Sequence, residues 1–318
     1  MINYINFQQQ NNEEPLVSIV MPVYNASKYL VAALDSIVNQ TYQNWELIAV
    51  DDASSDDSFL ILKQYAAMDD RIKIYKNVTN LGLGGNTDKA ISLAKGRFIA
   101  KMDADDISYP DRIEKQVRYL LLHDDMVAVG GQTRLIDEDG NVIGKKTFPT
   151  SPKDIYEMMY IAMPIQHPTI MIDRAKLPLN FKWYEGWKHA EDTYMFFKLT
   201  QYGKLANLND TVLDYRYYFN STSLRNAKKT FKYTYKARKI AEKEFDYVPT
   251  FKAKLISKMQ LLAVAVLPNK IIPSVFKMVR DPLTILSMNF WKVEIENITN
   301  NKIAFKKSPK KVEQFIVN

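Results

Sequence analysis

Phe98-Ile99-Ala100-Lys101-Met102-Asp103-Ala104-Asp105-Asp106 runs from an apolar segment directly into three carboxylates within four positions. If the apolar part is a buried strand, its acidic end emerges at the C-terminal edge of a sheet, where open α/β sheets bind their ligands. Like charges this close repel one another unless something positive shares the site. Hard divalent ions such as Mg²⁺ or Mn²⁺ take oxygen ligands, and Mg²⁺ is commonly held by one or two carboxylates together with substrate phosphates. The same spacing also suits a solvated acidic turn, so the flanking sequence has to separate the two.

Upstream, the arrangement repeats. Leu16-Val17-Ser18-Ile19-Val20-Met21 is an apolar run stopped by Pro22, which predicts a buried strand with Val23-Tyr24-Asn25 as the following loop. Ser27 is the expected N-cap of a helix whose apolar positions Leu30, Leu34, Ile37 and Val38 recur at helical spacing. Glu46 to Val50 predicts a second strand, running into Asp51 and Asp52, and Asp56 is placed to cap a helix ending near Ala67. Ile72 to Tyr75 alternates as a third strand. Leu81-Gly82-Leu83-Gly84-Gly85-Asn86 predicts a glycine-rich turn into a helix ending near Lys95, with glycine allowing a close backbone approach. Phe98 to Met102 is then the fourth strand. Strands alternating with helices across short loops predict an α/β fold: a mostly parallel central sheet with helices on both faces.

Downstream, Pro110 suits a first helical turn and Arg112 to Leu122 a helix. Val127 to Gly131 is another short strand, and Asp139-Gly140 between Leu135-Ile136 and Val142-Ile143 signals a hairpin. Thr169 to Ile172 is a strand candidate. An aromatic loop, Phe181-Lys182-Trp183-Tyr184-Glu185-Gly186-Trp187, leads to a helix carrying Glu191, Asp192, Phe196, Phe197 and Leu199. Leu205 to Tyr218 reads as a strand pair or one long bent strand, and helices dominate from Asn226 onward.

The chain of 318 residues, 47% hydrophobic and 25% charged, can bury a full core, and disorder is excluded. Cysteine is absent, which excludes disulfides and thiolate metal sites, is compatible with a reducing compartment, and leaves only His123, His167 and His189 for imidazole chemistry. Met1 to Glu14, rich in Asn and Gln, lacks the pattern of a signal peptide, so a cytoplasmic location is expected. Charge divides the chain. Asn226 to Asn318 holds 19 Lys and Arg against 7 Asp and Glu, whereas Met1 to Arg225 holds 24 against 29. The expected organisation is a flexible segment over 1–15, a catalytic domain over 16–225 and a basic, mainly helical region over 226–318.

In that last region Leu261 to Leu267 is apolar, but Pro268, Lys270 and Pro273 stop it short of the roughly 20 residues a spanning helix needs. With Lys252, Lys254, Lys258, Lys277 and Arg280 nearby, it is similar to helices that lie on an anionic lipid surface. Packing against the preceding domain, with the charge facing water, is the other reading. A strip of lysines without a recognisable motif gives no reason to expect nucleic acid as a partner.

Three acidic stations therefore occur in fixed order: Asp51-Asp52, Asp103-x-Asp105-Asp106 and Glu191-Asp192. Together with Val17 to Asn25, Ser36-Ile37-Val38-Asn39-Gln40-Thr41-Tyr42 and Asp105 to Arg112, this order resembles the family 2 glycosyltransferases, over about Val17 to Arg225. The resemblance implies the GT-A fold and an inverting transfer of a sugar from a nucleotide diphosphate sugar, with a divalent metal, Mn²⁺ or Mg²⁺. It implies that Pro22, Tyr24 and Asp52 bind the nucleotide, Tyr24 stacking on the base and Asp52 reading a ring imide, which favours a UDP-sugar. It makes Asp105 the direct metal ligand, Asp103 a second ligand nearer the sugar or ribose, and Asp106 a residue that holds the turn. Asp192 matches the catalytic base, which takes the proton of the acceptor hydroxyl. Glu191 is either its helper or a charge favouring the helix N-terminus. His167 falls in a segment under the acceptor site, and Trp183, Tyr184 and Trp187 are placed where an acceptor sugar would stack, though aromatics here equally fill core. A glycan or lipid-linked acceptor in cell-surface polysaccharide synthesis is the implied partner, with peripheral contact to the cytoplasmic face of a membrane.

Two departures stand out. Thr87 and Asp88 occupy a region where many relatives carry Arg or Asn, and Tyr215-Arg216-Tyr217-Tyr218 lacks the histidine of a Tyr-Arg-x-His run, so Arg216 or a nearby Lys is the expected substitute. These departures favour the alternative, a non-catalytic sugar-nucleotide or glycan-binding module. The absence of spanning helices and of a Q-x-x-R-W run after Asp192 argues against a processive synthase.

Overall fold

A computed structural model describes residues 14–184, 186–187, 189–218 and 227–268. The first thirteen residues of the expected flexible segment, and the basic stretch from 269 onward with Lys270, Pro273, Lys277 and Arg280, lie outside the described residues.

Four strands, β1 (Val17–Val23), β2 (Trp45–Asp51), β3 (Ile72–Lys76) and β4 (Phe98–Lys101), form a parallel set in the order β3-β2-β1-β4. The crossovers are α1 (Ser27–Val38), α2 (Ser58–Met68) and α3 (Gly82–Leu93). Every residue of β1 and β2 is buried, as expected where both faces of a sheet are covered. Alternation along the strand divides the core in two. Val17, Ile19, Met21 and Val23 join Leu30, Leu34 and Ile37 of α1 on one face, while Val20, Ile48 and Val50 join Ala90 and Ile91 of α3 on the other. Each such apolar side chain contributes on the order of 1.5–3 kcal/mol by leaving water.

Beyond β4 the sheet changes direction. β8 (Met171–Asp173) runs antiparallel to β4, and β6 (Met126–Ile136) antiparallel to β8. β9 (Lys204–Arg216) pairs parallel to β6, and the two-residue β5 (Ile107–Ser108) closes the edge. β7 (Val142–Lys146) forms the expected hairpin with β6, its turn using Gly140 at φ +88°. Helix α4 (Arg112–Leu122) follows the acidic turn, α5 (Pro152–Met159) follows the hairpin, and α6 (Glu191–Leu199) carries the third acidic pair.

Four local expectations change. Pro22 lies inside β1, paired with Val50, because the ladder to β4 ends at Val20 and Lys101 and the missing N–H faces no strand. The glycine-rich stretch is the first turn of α3 itself, with positive φ only at Gly82, while a Cβ on Gly84 would sit 3.3 Å from the Trp187 carbonyl oxygen, a tight approach. Ser27 is the first residue of α1 rather than its cap. Asp56 caps both helices, accepting from Ser27 N at 2.9 Å and Ser58 N at 3.0 Å. Burial raises the Asp56 carboxyl, but the hydrogen bonds from Ser58 and Ser27 overcome it and bring it down to about 2. Thr169 closes a 3-10 turn, His167–Thr169, so the expected strand begins only at Met171.

The C-terminal helices α7 (Ala227–Glu244) and α8 (Phe251–Val266) pack within the same compact unit as the sheet. Arg238 of α7 is buried and donates to Ser257 Oγ (3.0 Å), Gln260 Oε1 (2.8 Å) and the Ile161 carbonyl (2.7 Å), tying both helices to the sheet domain. Burial lowers its guanidinium to about 10. Among the described residues no helix is long and apolar enough to cross a membrane.

Candidate active site

The site is built at the C-terminal ends of β1, β2 and β4. Tyr24 leaves β1 with 55% of its surface exposed, an aromatic face free at the rim. Asp51 and Asp52 end β2 and differ in duty. Asp51 is buried, 3.7 Å from Lys76 Nζ, and accepts from Ser54 N, so it orients the loop. Asp52 Oδ1 accepts from Asn77 Nδ2 (2.7 Å) and Leu81 N (2.8 Å), and Oδ2 accepts from Gly82 N at 3.0 Å. Its carboxylate therefore satisfies the N-terminus of α3, which starts where it does because of a residue some thirty positions earlier. Oδ2 accepts one hydrogen bond to the two at Oδ1, and Asp52 as a whole is buried.

The acidic turn after β4 is braced from beneath. Lys101, itself buried, forms an ion pair with Asp103 Oδ1. Burial raises the Asp103 carboxyl, but Lys101, His167 and Arg112 together leave it below the usual range. Asp105 is pushed up by burial and then by the charge of Asp103, and Tyr218 donates to its Oδ2 at 2.9 Å. Asp106 accepts from Arg216 N at 2.9 Å, its other oxygen has no partner, and burial together with Asp105 and Asp103 holds its carboxyl far above the ordinary value. Arg112 lies wholly buried under the turn, donating to the Lys101 carbonyl at 2.7 Å. Burial lowers its guanidinium to about 10. Arg216, the expected substitute for the missing histidine, donates through Nε and Nη1 to the carbonyls of Asp105 (2.9 Å), Asp137 (2.8 Å) and Glu138 (3.2 Å) and lies over the Tyr29 ring.

Asp105 and Asp106 are raised by burial and by the carboxylates beside them, a crowding of negative charge around Asp103 that a hard cation would relieve. Among the described residues no three acidic or imidazole groups form an all-protein metal cage. Asp103 and Asp105 are the residues that would hold such an ion, with substrate oxygens completing its shell.

The third station acts electrostatically on residues that the acidic turn also influences. Ala190, in the left-handed region at φ 52°, turns the chain into α6, whose first residues are Glu191 and Asp192. Asp192 Oδ1 accepts from Thr193 N at 2.7 Å. Burial and then the charge of Asp192 push Glu191 up to about 7, with Lys101 and Asp103 also acting on it. His167 Nε2 lies 3.0 Å from the buried Tyr184 hydroxyl. Burial and Lys101 lower its imidazole, opposed by Asp192 and Asp103. His167 and Glu191 are thus each acted on by both Asp103 and Asp192.

Trp183 and Trp187 are half-buried. Trp183 meets Phe181 edge-on at 5.0 Å between ring centroids, and Trp187 stacks on Tyr194 of α6 at 4.7 Å with Lys236 of α7 over its ring. Asp88 accepts from Tyr184 N at 3.3 Å, so it anchors the aromatic loop to α3. Lys101 and Tyr218 had no assigned role in the sequence. The signal for Lys101 was a lone cation inside an apolar strand, and Tyr218 had none beyond its place in the aromatic run after β9.

Comparison with known proteins agrees with this geometry. A family model described as glycosyl transferase family 2 matches residues 18–177. An uncharacterized glycosyltransferase of Haemophilus influenzae is 35% identical over 219 residues, covering 66% of this chain and 68% of the relative. The Escherichia coli protein WfgD, named as a UDP-Glc:alpha-D-GlcNAc-diphosphoundecaprenol beta-1,3-glucosyltransferase, is 30% identical over 217 residues, covering 68% of this chain and 82% of WfgD. Among solved structures, the mannosyltransferase PcManGT of Pyrobaculum calidifontis, in complex with GDP-Man and Mn²⁺, superposes with a TM-score of 0.56 at 17% identity, covering 92% of this chain and 87% of that one. That likeness establishes a shared GT-A type fold.

Proposed function

The chain belongs to glycosyl transferase family 2, and on that footing we propose that it transfers a sugar from a UDP-sugar, with inversion, to a hydroxyl of a lipid-linked glycan in cell-surface polysaccharide synthesis. The observation that supports the reading is that both Asp103 and Asp192 act on His167 and on Glu191, which brings the second and third acidic stations near the same two residues. The catalytic domain is taken to span residues 16–225.

In this reading Pro22 and Tyr24 bound the base pocket, Tyr24 stacks on the base, and Asp52 Oδ2 accepts the ring imide hydrogen. Asp103 and Asp105 hold the divalent cation, which when bound neutralises charge on the diphosphate leaving group. Lys101 and Arg112 keep the acidic turn in place. Asp192 takes the proton of the acceptor hydroxyl as that oxygen attacks the anomeric carbon from the face opposite the diphosphate, a single displacement that inverts configuration. Glu191, pushed up to about 7 by burial and the charge of Asp192, is partly protonated near neutral pH, which eases the repulsion between the two neighbours. Trp183, Trp187 and His167 bound the acceptor side. WfgD, whose name specifies a diphosphoundecaprenol-linked acceptor, supports a lipid-linked acceptor here and a peripheral position at the cytoplasmic face of a membrane.

The test is thermal stabilisation by UDP-, GDP- and dTDP-sugars with and without Mn²⁺, followed by NMR of the anomeric proton in the product. Stabilisation by UDP-sugars that needs Mn²⁺, with an inverted product, is expected. Stabilisation by GDP-sugars alone, or a retained configuration, would overturn the respective part.

A further inference from the structure

Helix α8 is amphipathic in the reverse sense to a core helix. Its buried side consists of Ala253, Ser257, Gln260 and Val264, whereas Phe251, Leu255, Met259, Leu262 and Val266 are 50–83% exposed. At about 100° per residue, those five large side chains fall within an arc of roughly 80° along the whole outer face. The helix is not free to roll them inward: Ser257 and Gln260 are the groups that satisfy the buried Arg238 guanidinium, and Gln260 Nε2 also donates to the Ile161 carbonyl at 3.0 Å. Turning α8 over would strip Arg238 Nη1 of both its acceptors and leave only the Ile161 carbonyl to the buried cation, a costly outcome. The outward apolar face is therefore a fixed property of the fold.

We propose that this face of α8 is a docking surface for an anionic lipid bilayer, with Phe251, Leu255, Met259, Leu262 and Val266 entering the headgroup and acyl boundary. Charge complementarity selects this occupant. Lys252 and Lys258 border the apolar arc on its two sides, Lys254 beside Lys258 is paired with Glu242 of α7 at 3.2 Å, and no carboxylate occurs between Phe251 and Val266. Lysines at that height meet phosphate headgroups while the stripe between them meets hydrocarbon. The helix has 16 residues, too few to span a bilayer and suited to lying in its plane. The proposal rests on the reading that the acceptor is lipid-linked, and it supplies the surface that would bring the cleft to that acceptor.

The experiment is co-sedimentation of the full chain with phosphatidylglycerol/phosphatidylcholine vesicles and with pure phosphatidylcholine vesicles, comparing the parent with Leu255→Ser/Leu262→Ser. Both positions are exposed, so the fold is retained, and UDP-dependent thermal stabilisation checks it; that readout depends on the donor pocket alone, so failure of the docking surface is separable from failure of the proposed function. The parent is expected to bind the anionic vesicles and the double variant to bind at least about tenfold more weakly. In a Phe251→Trp variant, indole emission is expected to shift to the blue on adding the anionic vesicles. Equal vesicle binding by parent and double variant overturns the proposal, because the basic segments beyond α8 are the same in both. So does unchanged vesicle binding accompanied by conversion of an oligomer to a monomer, which would assign the face to a second copy of the chain.

Discussion

Tyr218 donates its hydroxyl hydrogen to Oδ2 of Asp105 at 2.9 Å, across 113 positions of sequence. Two residues earlier, Arg216 N bonds to Asp106 Oδ1, so the end of β9 grips the acidic turn at two carboxylates. The turn's geometry is thus imposed by a strand on the far side of the sheet.

Removing that grip has a specific consequence. Tyr218→Phe keeps the ring and loses the donor, so Asp105 is less well oriented. The Mn²⁺ concentration for half-maximal activity should rise roughly tenfold, as for other residues that orient a metal-binding carboxylate. A metal titration of donor turnover reads this directly, and an unchanged midpoint would remove Tyr218 from the site.

Glu191 gives a pH prediction. Its carboxyl titrates near 4.5 in an unfolded chain and at about 7 in the fold. Between those values the folded protein keeps a proton that the unfolded chain has released, so each rise in pH across the window lowers stability. The loss is absent below about 4.5 and complete above about 7. Glu191→Gln abolishes this dependence. It should melt higher than the parent at about pH 8, by roughly 1–3 kcal/mol, with the difference vanishing as pH falls toward about 4.5. Thermal melts across that range decide it, and a difference independent of pH would show that Glu191 does not titrate in the window.

Asp52 combines a cap with a ligand contact. Asp52→Ala leaves Leu81 N, Gly82 N and Asn77 Nδ2 without their acceptor. About 2 kcal/mol of stability should be lost, the upper part of the range for a lost helix cap, together with the stabilisation that UDP confers. Urea unfolding with and without UDP separates the two losses. Parental stability in the variant would mean that the cap is dispensable.

The parallel core was legible because β1, β2 and β4 are unbroken apolar runs that each end in an acidic or aromatic station, a pattern needing only local information. The hairpin at Asp139-Gly140 and helix α4 were legible for the same reason. Other features depended on partners far along the chain. Whether Pro22 could sit in a strand turned on where the β4 ladder stopped, and the start of α3 turned on a carboxylate from the end of β2. Arg216 looked like a substitute phosphate ligand by its place in the sequence, yet Tyr29 and three carbonyls engage its guanidinium. The apolar run Leu261 to Leu267 gave no sign of which face would pack, a choice made by Arg238 on the neighbouring helix.

The central claim, that one cleft holds the donor's cation site and the base, is tested most directly by Asp192→Asn, measuring UDP-dependent thermal stabilisation and label transfer from a UDP-sugar to a lipid extract on the same preparation. The account predicts that stabilisation stays at the parental level while transfer falls by about 10²–10⁴-fold. Transfer at the parental rate by a variant that binds UDP normally would contradict it.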